Sequence, residues 1–307
     1  NDEDRESGRI WVSGYVVREP ARVASSWRST RGLDEELRAQ GITAIAITGT
    51  RALTRHLRER GAMRAAISTR TRDPRRLREK VLASPPMTGA DLAREVSTAR
   101  PYTVRPPGGQ PVRYRVSALD LGIKAATPAA LARLGCEVTV LPAASTGEQL
   151  LAGRPDGVFF SNGPGDPAAA GYAADAMREV IGAGLPVFGI CLGSQILGRA
   201  LGLDTYKLRF GHRGVNHPVK DLRTGRVLIT SHNHGFAVAM PADRGFRTPF
   251  GPAEVSHVDL NDGVVEGIAL AGRPVFGVQF HPEAAPGPRD AAGLFGRFCE
   301  LMERSGA

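Results

Sequence analysis

From residue 113 onward, short apolar runs alternate with segments whose apolar positions recur at helical spacing. The runs over 114–119, 137–141, 157–160 and 186–190 read as strands, and 128–134, 147–152 and 172–183 as the helices between them. Pro128 stands in the first turn of one helix and Gly135 follows its end, as helix boundaries require. This β-α-β-α-β-α-β succession predicts a parallel sheet covered by helices on both faces, with ligands beyond the carboxyl ends of its strands. Farther on, the apolar runs shorten and become hairpin-like, over 227–230, 237–240, 254–257 and 265–270. A strand over 275–280 and a helix over 290–304 complete the pattern.

Ahead of this region lies a smaller alternation. Strands are predicted over 11–17, 42–47 and 64–68, and helices over 33–40, 51–61 and 75–83. In the second of these helices Leu53 and Leu57 should face inward, with Gly61 as its stop. Asp73-Pro74 introduces the third. The Pro- and Gly-rich stretch 100–110 carries the clearest linker signal. The expected division is an α/β domain over 1–99, a linker over 100–112 and a larger α/β domain over 113–307.

Composition narrows the classes. The chain has 307 residues, 42% of them hydrophobic and 23% charged, with a formal charge of +9. Its densest basic cluster is Arg70, Arg72, Arg75, Arg76, Arg78 and Lys80. No aromatic residues interleave it and no nucleic-acid motif contains it, so it reads as a solvated helix face or a surface for an acidic partner. Nucleic acid is not expected as a partner. No apolar run reaches the length of a membrane span, and no membrane partner is expected. Cys136, Cys191 and Cys299 are widely spaced, which predicts neither a disulfide set nor a metal site and suits a reducing cytoplasm.

The chemistry is concentrated around residue 191. An apolar strand over 186–190 runs directly into Cys191, then Gly193, then Ile196, Leu197 and Leu201 at helical spacing. A cysteine at such a turn is lifted from the sheet toward solvent and set at a helix start, whose partial positive charge favours an anion. Alone it reads more readily as a buried structural thiol than as a reactive one. Of seven histidines, His56 lies on an Arg-rich helix face, and His212, His217, His232, His234 and His257 fall in loops or short strands where hydrogen bonding is the default role. His281 differs: it ends an apolar strand level with Cys191, and Glu283, two residues on, can fix its tautomer across Pro282. Leu192 supplies one backbone N–H for an oxyanion, and the Gly163-Pro164-Gly165 turn is the expected source of a second.

Taken together, Gly189-Ile190-Cys191-Leu192-Gly193, the turn from Ser161 to Pro167, and His281-Pro282-Glu283 resemble the class I (triad) glutamine amidotransferases. The stretches 210–219, 230–238, 50–55 and 89–96 are similar to the small, glutaminase chain of carbamoyl-phosphate synthase, although Gly49 stands where that family usually carries Asp. The resemblance implies a flavodoxin-like amidotransferase domain behind a smaller N-terminal domain. It implies Cys191, His281 and Glu283 as the catalytic residues, and Gly163, Gly165, Leu192, Gln195, Asn233, Gly235 and Phe236 as glutamine-binding residues. It implies hydrolysis of L-glutamine and delivery of ammonia to a large partner chain, which makes carbamoyl phosphate from bicarbonate and two ATP with magnesium, for arginine and pyrimidine synthesis. No cofactor is expected on this chain itself. The alternatives are another triad glutaminase, as in anthranilate or GMP synthesis, and a catalytically impaired regulatory subunit. Ser194 stands where the family more often has His or Asn, which predicts altered glutamine affinity or partner coupling. The family's N-terminal segment is missing, so the first domain is expected to be truncated, with weak free glutaminase activity.

Overall fold

In a computed structural model that describes residues 1–306, the chain divides between Pro86 and Met87. In the first unit, β1 (Gly14–Val17) and β2 (Thr43–Ala46) pair in parallel. Three helices accompany them: α1 (Leu33–Ala39), α2 (Thr50–Arg60) and α3 (Pro74–Ala83). The predicted local signals work here. Gly61 ends α2 with a φ of +94°, and the Asp73 carboxylate accepts from the Arg75 N–H at the start of α3. Burial does not follow. Helices α2 and α3 bury no residue, and Leu53, expected inward, is exposed. The basic cluster through α3 is exposed, as both readings of its sequence require. The strand expected over 64–68 does not form. That segment has no ladder partner; Ile67 instead covers Gly14, and the Arg64 guanidinium donates to the carbonyls of Leu82 and Ser84.

The second unit starts with α4 (Ala93–Val96), β3 (Tyr102–Val104), β4 (Tyr114–Asp120), α5 (Ala126–Arg133) and β5 (Cys136–Pro142). It continues through α6 (Gly147–Leu151), β6 (Gly157–Phe160), α7 (Gly171–Gly182), β7 (Val187–Ile190) and α8 (Leu192–Ala200). Then come β8 (Thr205–Asp221), β9 (Val227–Val238), β10 (Gly245–Thr248), β11 (Gly251–Asp259), β12 (Val265–Leu270), β13 (Val275–Val278) and α9 (Gly293–Gly306). The main sheet runs β3-β5-β4-β6-β7-β13-β12-β11-β8-β9, with β10 on β11. Strands β5, β4, β6, β7 and β13 are mutually parallel, and the remaining pairs antiparallel. This is the expected α/β architecture.

Period-2 alternation builds two cores on the two faces of that sheet. On one face Leu119, Val158, Phe160 and Val187 meet Met177, Val180 and Ile181 of α7 and Ile196 and Leu197 of α8. On the other, Val116, Phe159, Phe188 and Phe276 meet Leu131 of α5 and Phe295, Phe298 and Met302 of α9. Phe188 and Phe276 stack at 4.4 Å across the β7–β13 pair. Cys136 and Cys299, distant in sequence, meet here as free thiols 3.7 Å apart.

Two expectations are corrected. The boundary lies at 86/87, and 100–112 is not a free linker. Tyr102 pairs with Val140, Ala93 is buried in the first core, and the carboxylates of Asp166 and Asp120 accept from the N–H groups of Gly89 and Thr98. The prolines flank a short edge strand, where a missing N–H is tolerated. In addition, the strands expected over 227–230 and 237–240 are one strand, β9, paired with the long and unpredicted β8. Four histidines, His212, His217, His232 and His234, thus lie on two long paired strands, where loops or short strands were expected. Glycines and histidines in 205–221 hide the alternation, and the ladder breaks register between Lys207 and His212 and between Gly214 and His217.

Candidate active site

The carboxyl ends of β4, β6, β7 and β13 come out side by side, because these strands are neighbours and parallel. Ile190 pairs with Val278, so Cys191 leaves β7 at that level, and its N–H donates to the Val278 carbonyl at 2.8 Å. Cys191 has a φ of +53°, a left-handed conformation that is unusual and costly for a residue with a side chain. The strain is held from both sides. The Cys191 carbonyl accepts from the N–H groups of Ser194 and Gln195 in α8, and the Gly193 N–H donates to the Ser161 carbonyl. The turn closes tightly because Gly189 has no side chain: a Cβ there would lie 2.7 Å from the Gly193 carbonyl carbon. The expectation of a thiol lifted into solvent is corrected, since Cys191 is only 4% exposed.

His281 follows β13, and its backbone N–H donates to the Ser231 carbonyl. Its Nδ1 lies 2.6 Å from Glu283 Oε1, and both residues are buried. Nε2 is buried with no hydrogen-bond partner. Burial alone would push the imidazolium down, but the charges of Glu283 and Cys191 outweigh it and raise the ring to about 9. For Glu283 burial acts to raise the carboxyl, yet the His281 charge and hydrogen bond, with Lys124, hold it down at about 2. Lys124 is not singled out by any sequence motif. Its Nζ lies 3.2 Å from Glu283 Oε1 and 3.5 Å from His281 Nδ1. The Asp120 carboxylate accepts from the N–H groups of Gly122 and Ile123 and turns the chain just before it. The available signal was its place beyond a core strand in a chain that uses Arg almost everywhere else.

Gly163 is where the turn after β6 meets the start of α8. A Cβ there would lie 1.9 Å from the Leu121 carbonyl oxygen and 3.1 Å from Leu192 Cδ2. The two expected oxyanion donors, Leu192 and Gly163, are therefore neighbours. Gly165 has a φ of +102° and packs on the backbone of Ala90 and Leu92. Gln195, one turn along α8 from Cys191, is buried, and its Nε2 donates to the Phe236 carbonyl at 2.8 Å and to Gln279 Oε1 at 3.0 Å. Phe236 is buried with the Lys207 ammonium 5.4 Å from its ring centroid. Asn233 is exposed and pairs with Arg213 across the β8–β9 ladder, and Gly235 lies beside Lys207 and Arg213. Ser194 is buried against Gly277 of β13 rather than lining an open surface.

Comparison with known proteins places the chain in a family. The glutamine amidotransferase class-I family matches residues 117–301, and the carbamoyl-phosphate synthase small chain, CPSase domain, matches residues 1–67. The carbamoyl phosphate synthase small chain of Streptomyces avermitilis is 59% identical over 99% of this chain and 80% of its own length. Those of Mycobacterium tuberculosis and Bifidobacterium longum are 56% and 50% identical, over 100% and 99% of this chain and 83% and 79% of their own. Among solved structures, a putative GMP synthase subunit from Thermoplasma acidophilum matches with a TM-score of 0.53 at 18% identity, covering 62% of this chain and 95% of that one. That likeness concerns the fold alone. The sequence matches span both units of the chain, and the chain belongs to the carbamoyl-phosphate synthase small chain family.

Proposed function

We propose that this chain is the glutaminase component of a glutamine-hydrolysing carbamoyl-phosphate synthase. The observation that carries the reading is a cysteine on a strained strand-to-helix turn, beside an imidazole whose Nδ1 is held 2.6 Å from a buried carboxylate. His281, raised to about 9 by the Glu283 charge against the effect of burial, already holds the thiol proton on Nε2, and the Cys191 sulfur attacks the side-chain amide carbon of L-glutamine. The N–H groups of Leu192 and Gly163 hold the oxyanion of the tetrahedral intermediate. His281 then protonates the departing ammonia, and a γ-glutamyl thioester remains on Cys191. Water, activated by the now neutral imidazole, cleaves that thioester to glutamate. Glu283 keeps the Nδ1 proton in place throughout and stabilises the imidazolium.

Gly163, Gly165, Asn233, Gly235 and Phe236 belong to the glutamine subsite in this reading. Gln195 supports it as a positioning residue, since its amide N–H groups already bind Phe236 and Gln279. The ammonia passes to a large partner chain, where ATP and magnesium drive carbamoyl phosphate formation from bicarbonate. This chain needs no cofactor of its own for the glutaminase steps.

A glutamine-analogue electrophile tests the assignment. It should label Cys191 selectively, and Cys191→Ser should abolish labelling and lower glutamine hydrolysis by several orders of magnitude. With the large chain present, the same variant should still support synthesis from free ammonia. Absence of selective labelling in the native chain would instead identify a catalytically impaired regulatory subunit.

A further inference from the structure

Three strands carry a second cluster of reactive groups inside the larger unit. His212 lies on β8, His232 and His234 on β9, and Glu266 on β12. His232 and His234 are two apart on one strand, so both rings project from the same face of the sheet. All four residues are buried. One ligand-type atom from each lies within 4.8 Å of every other. The individual separations are 3.4 Å from His212 Nδ1 to Glu266 Oε1, 3.3 Å from His232 Nδ1 to His234 Nε2, 3.6 Å from His232 Nδ1 to Glu266 Oε2, and 3.8 Å from His234 Nε2 to Glu266 Oε1.

The hydrogen bonds on the far side of each ring fix its tautomer. His212 Nε2 donates to the Asp262 carboxylate at 2.8 Å. His234 Nδ1 donates to the Phe236 carbonyl at 2.8 Å. Thr230 Oγ1 gives its own proton to the His217 carbonyl, so it accepts from His232 Nε2 at 2.7 Å. With those nitrogens protonated, a neutral imidazole has its lone pair on the other one. Three lone pairs therefore point to one place. The fourth group there is Glu266, whose two carboxylate oxygens are buried with no hydrogen-bond donor, and His212 Nδ1 is likewise without a partner. Buried acceptors that face one another repel unless a proton or a cation lies between them, and a fully buried carboxylate without a donor is costly.

We propose that His212, His232, His234 and Glu266 together bind one divalent transition-metal ion of the zinc type. Ligands about 2.0–2.1 Å from a tetrahedral zinc are spaced about 3.4 Å apart, close to the separations observed. A carboxylate, a hydroxyl and a backbone carbonyl receiving the far N–H groups are the supports that metal-bound imidazoles use. Three imidazoles suit zinc, and also cobalt or nickel as substitutes. Four buried protein ligands complete the coordination shell, so the ion ties β8 and β9 to β12 and performs no chemistry of its own. The expectation of no metal rested on cysteine spacing and missed this set, because its members are brought together by strand pairing. The site adjoins the catalytic region through one atom: the Phe236 carbonyl that accepts from His234 also accepts from Gln195 of α8.

Metal analysis of the full chain, purified without a polyhistidine tag, tests this. Elemental analysis should find about one zinc per chain. After chelation, cobalt(II) added to the chain should give the intense visible absorption of a four-coordinate ion, and zinc should raise the melting temperature. Glu266→Gln and His232→Gln, with folding checked by circular dichroism, should each bind metal at least about tenfold more weakly, whereas the exposed control His56→Gln should bind it unchanged. A native chain that takes up neither zinc nor cobalt, or melts at one temperature with and without them, would overturn the proposal. So would a folded Glu266→Gln variant that binds metal as the native chain does. If both variants unfold, uptake and spectrum of the native chain decide alone, with a spectrum other than four-coordinate counting against it.

Discussion

His281 keeps its proton in a place where burial opposes charge. Its ordinary value of 6.5 is raised to about 9 by Glu283 and Cys191, against the effect of burial. The stabilisation carried by the charged ring is therefore complete below 6.5 and is lost as pH rises through about 9. Glu283 runs the other way. Held at about 2 from an ordinary 4.5, it contributes fully above 4.5 and loses that contribution as pH falls through about 2. Glu283→Gln removes the largest charge that raises His281. The alkaline limb of kcat/KM for glutamine hydrolysis should move about 1–3 pH units lower, the range for a close opposite charge. A pH-rate profile of the variant checks this, and an unmoved limb would mean that another group sets it. Gly163→Ala tests the oxyanion turn. Its Cβ cannot remain 1.9 Å from the Leu121 carbonyl oxygen, so the turn must shift and carry the Gly163 N–H out of place. Losing one donor of this kind costs about 10²–10³ in kcat, and steady-state kinetics should show that loss with KM changed far less.

Elements place these residues, and some elements were plainer in the sequence than others. Parallel core strands such as β6 and β7 are continuous apolar runs because both faces are covered, and their periodicity announces them. Cys191 and His281 were legible for the same reason: each directly follows such a run. Lys124 was not, because its loop reaches Glu283 only through the strand order β4-β6-β7-β13. Nor was β8, whose polar, glycine-broken sequence gains its strand identity from pairing with β9. The segment 64–68 shows the converse: an apolar stretch with strand composition and no partner stays unpaired. Packing between elements is testable at Gly189, where β7 supports α8. In Gly189→Ala the new methyl would lie 2.7 Å from the backbone of Gly193 and 3.0 Å from the Ser194 N–H nitrogen. Overpacking of this sort costs about 1–3 kcal/mol, so the melting temperature should fall. Because the displaced backbone belongs to the Cys191 turn, labelling of Cys191 by a glutamine-analogue electrophile should slow as well. A variant that melts lower but labels at the native rate would separate the stability of α8 from the geometry of the turn.

At the scale of the whole molecule, the division at 86/87 separates regions of very different burial. Both core clusters lie entirely within 87–307. In 1–86 the buried hydrophobic side chain is Leu37, while Trp11, Val23, Trp27 and Leu82 are exposed, Trp27 by 92%. A two-stranded sheet with so little apolar burial is marginal by itself, since ordering the backbone costs entropy that only burial offsets. Lys124, Gly163, Cys191, Leu192, His281 and Glu283 all fall in the second unit. A fragment spanning 87–307 should therefore melt cooperatively and retain selective labelling of Cys191. A fragment spanning 1–86 should show no cooperative transition. Calorimetry and circular dichroism of the two fragments beside the full chain check both expectations. Limited proteolysis of the full chain should cut first between residues 18 and 32, an exposed stretch without regular structure, and leave the 87–307 region intact. A fragment 87–307 that fails to fold would show that its two cores do not suffice, and that the first 86 residues contribute to its stability.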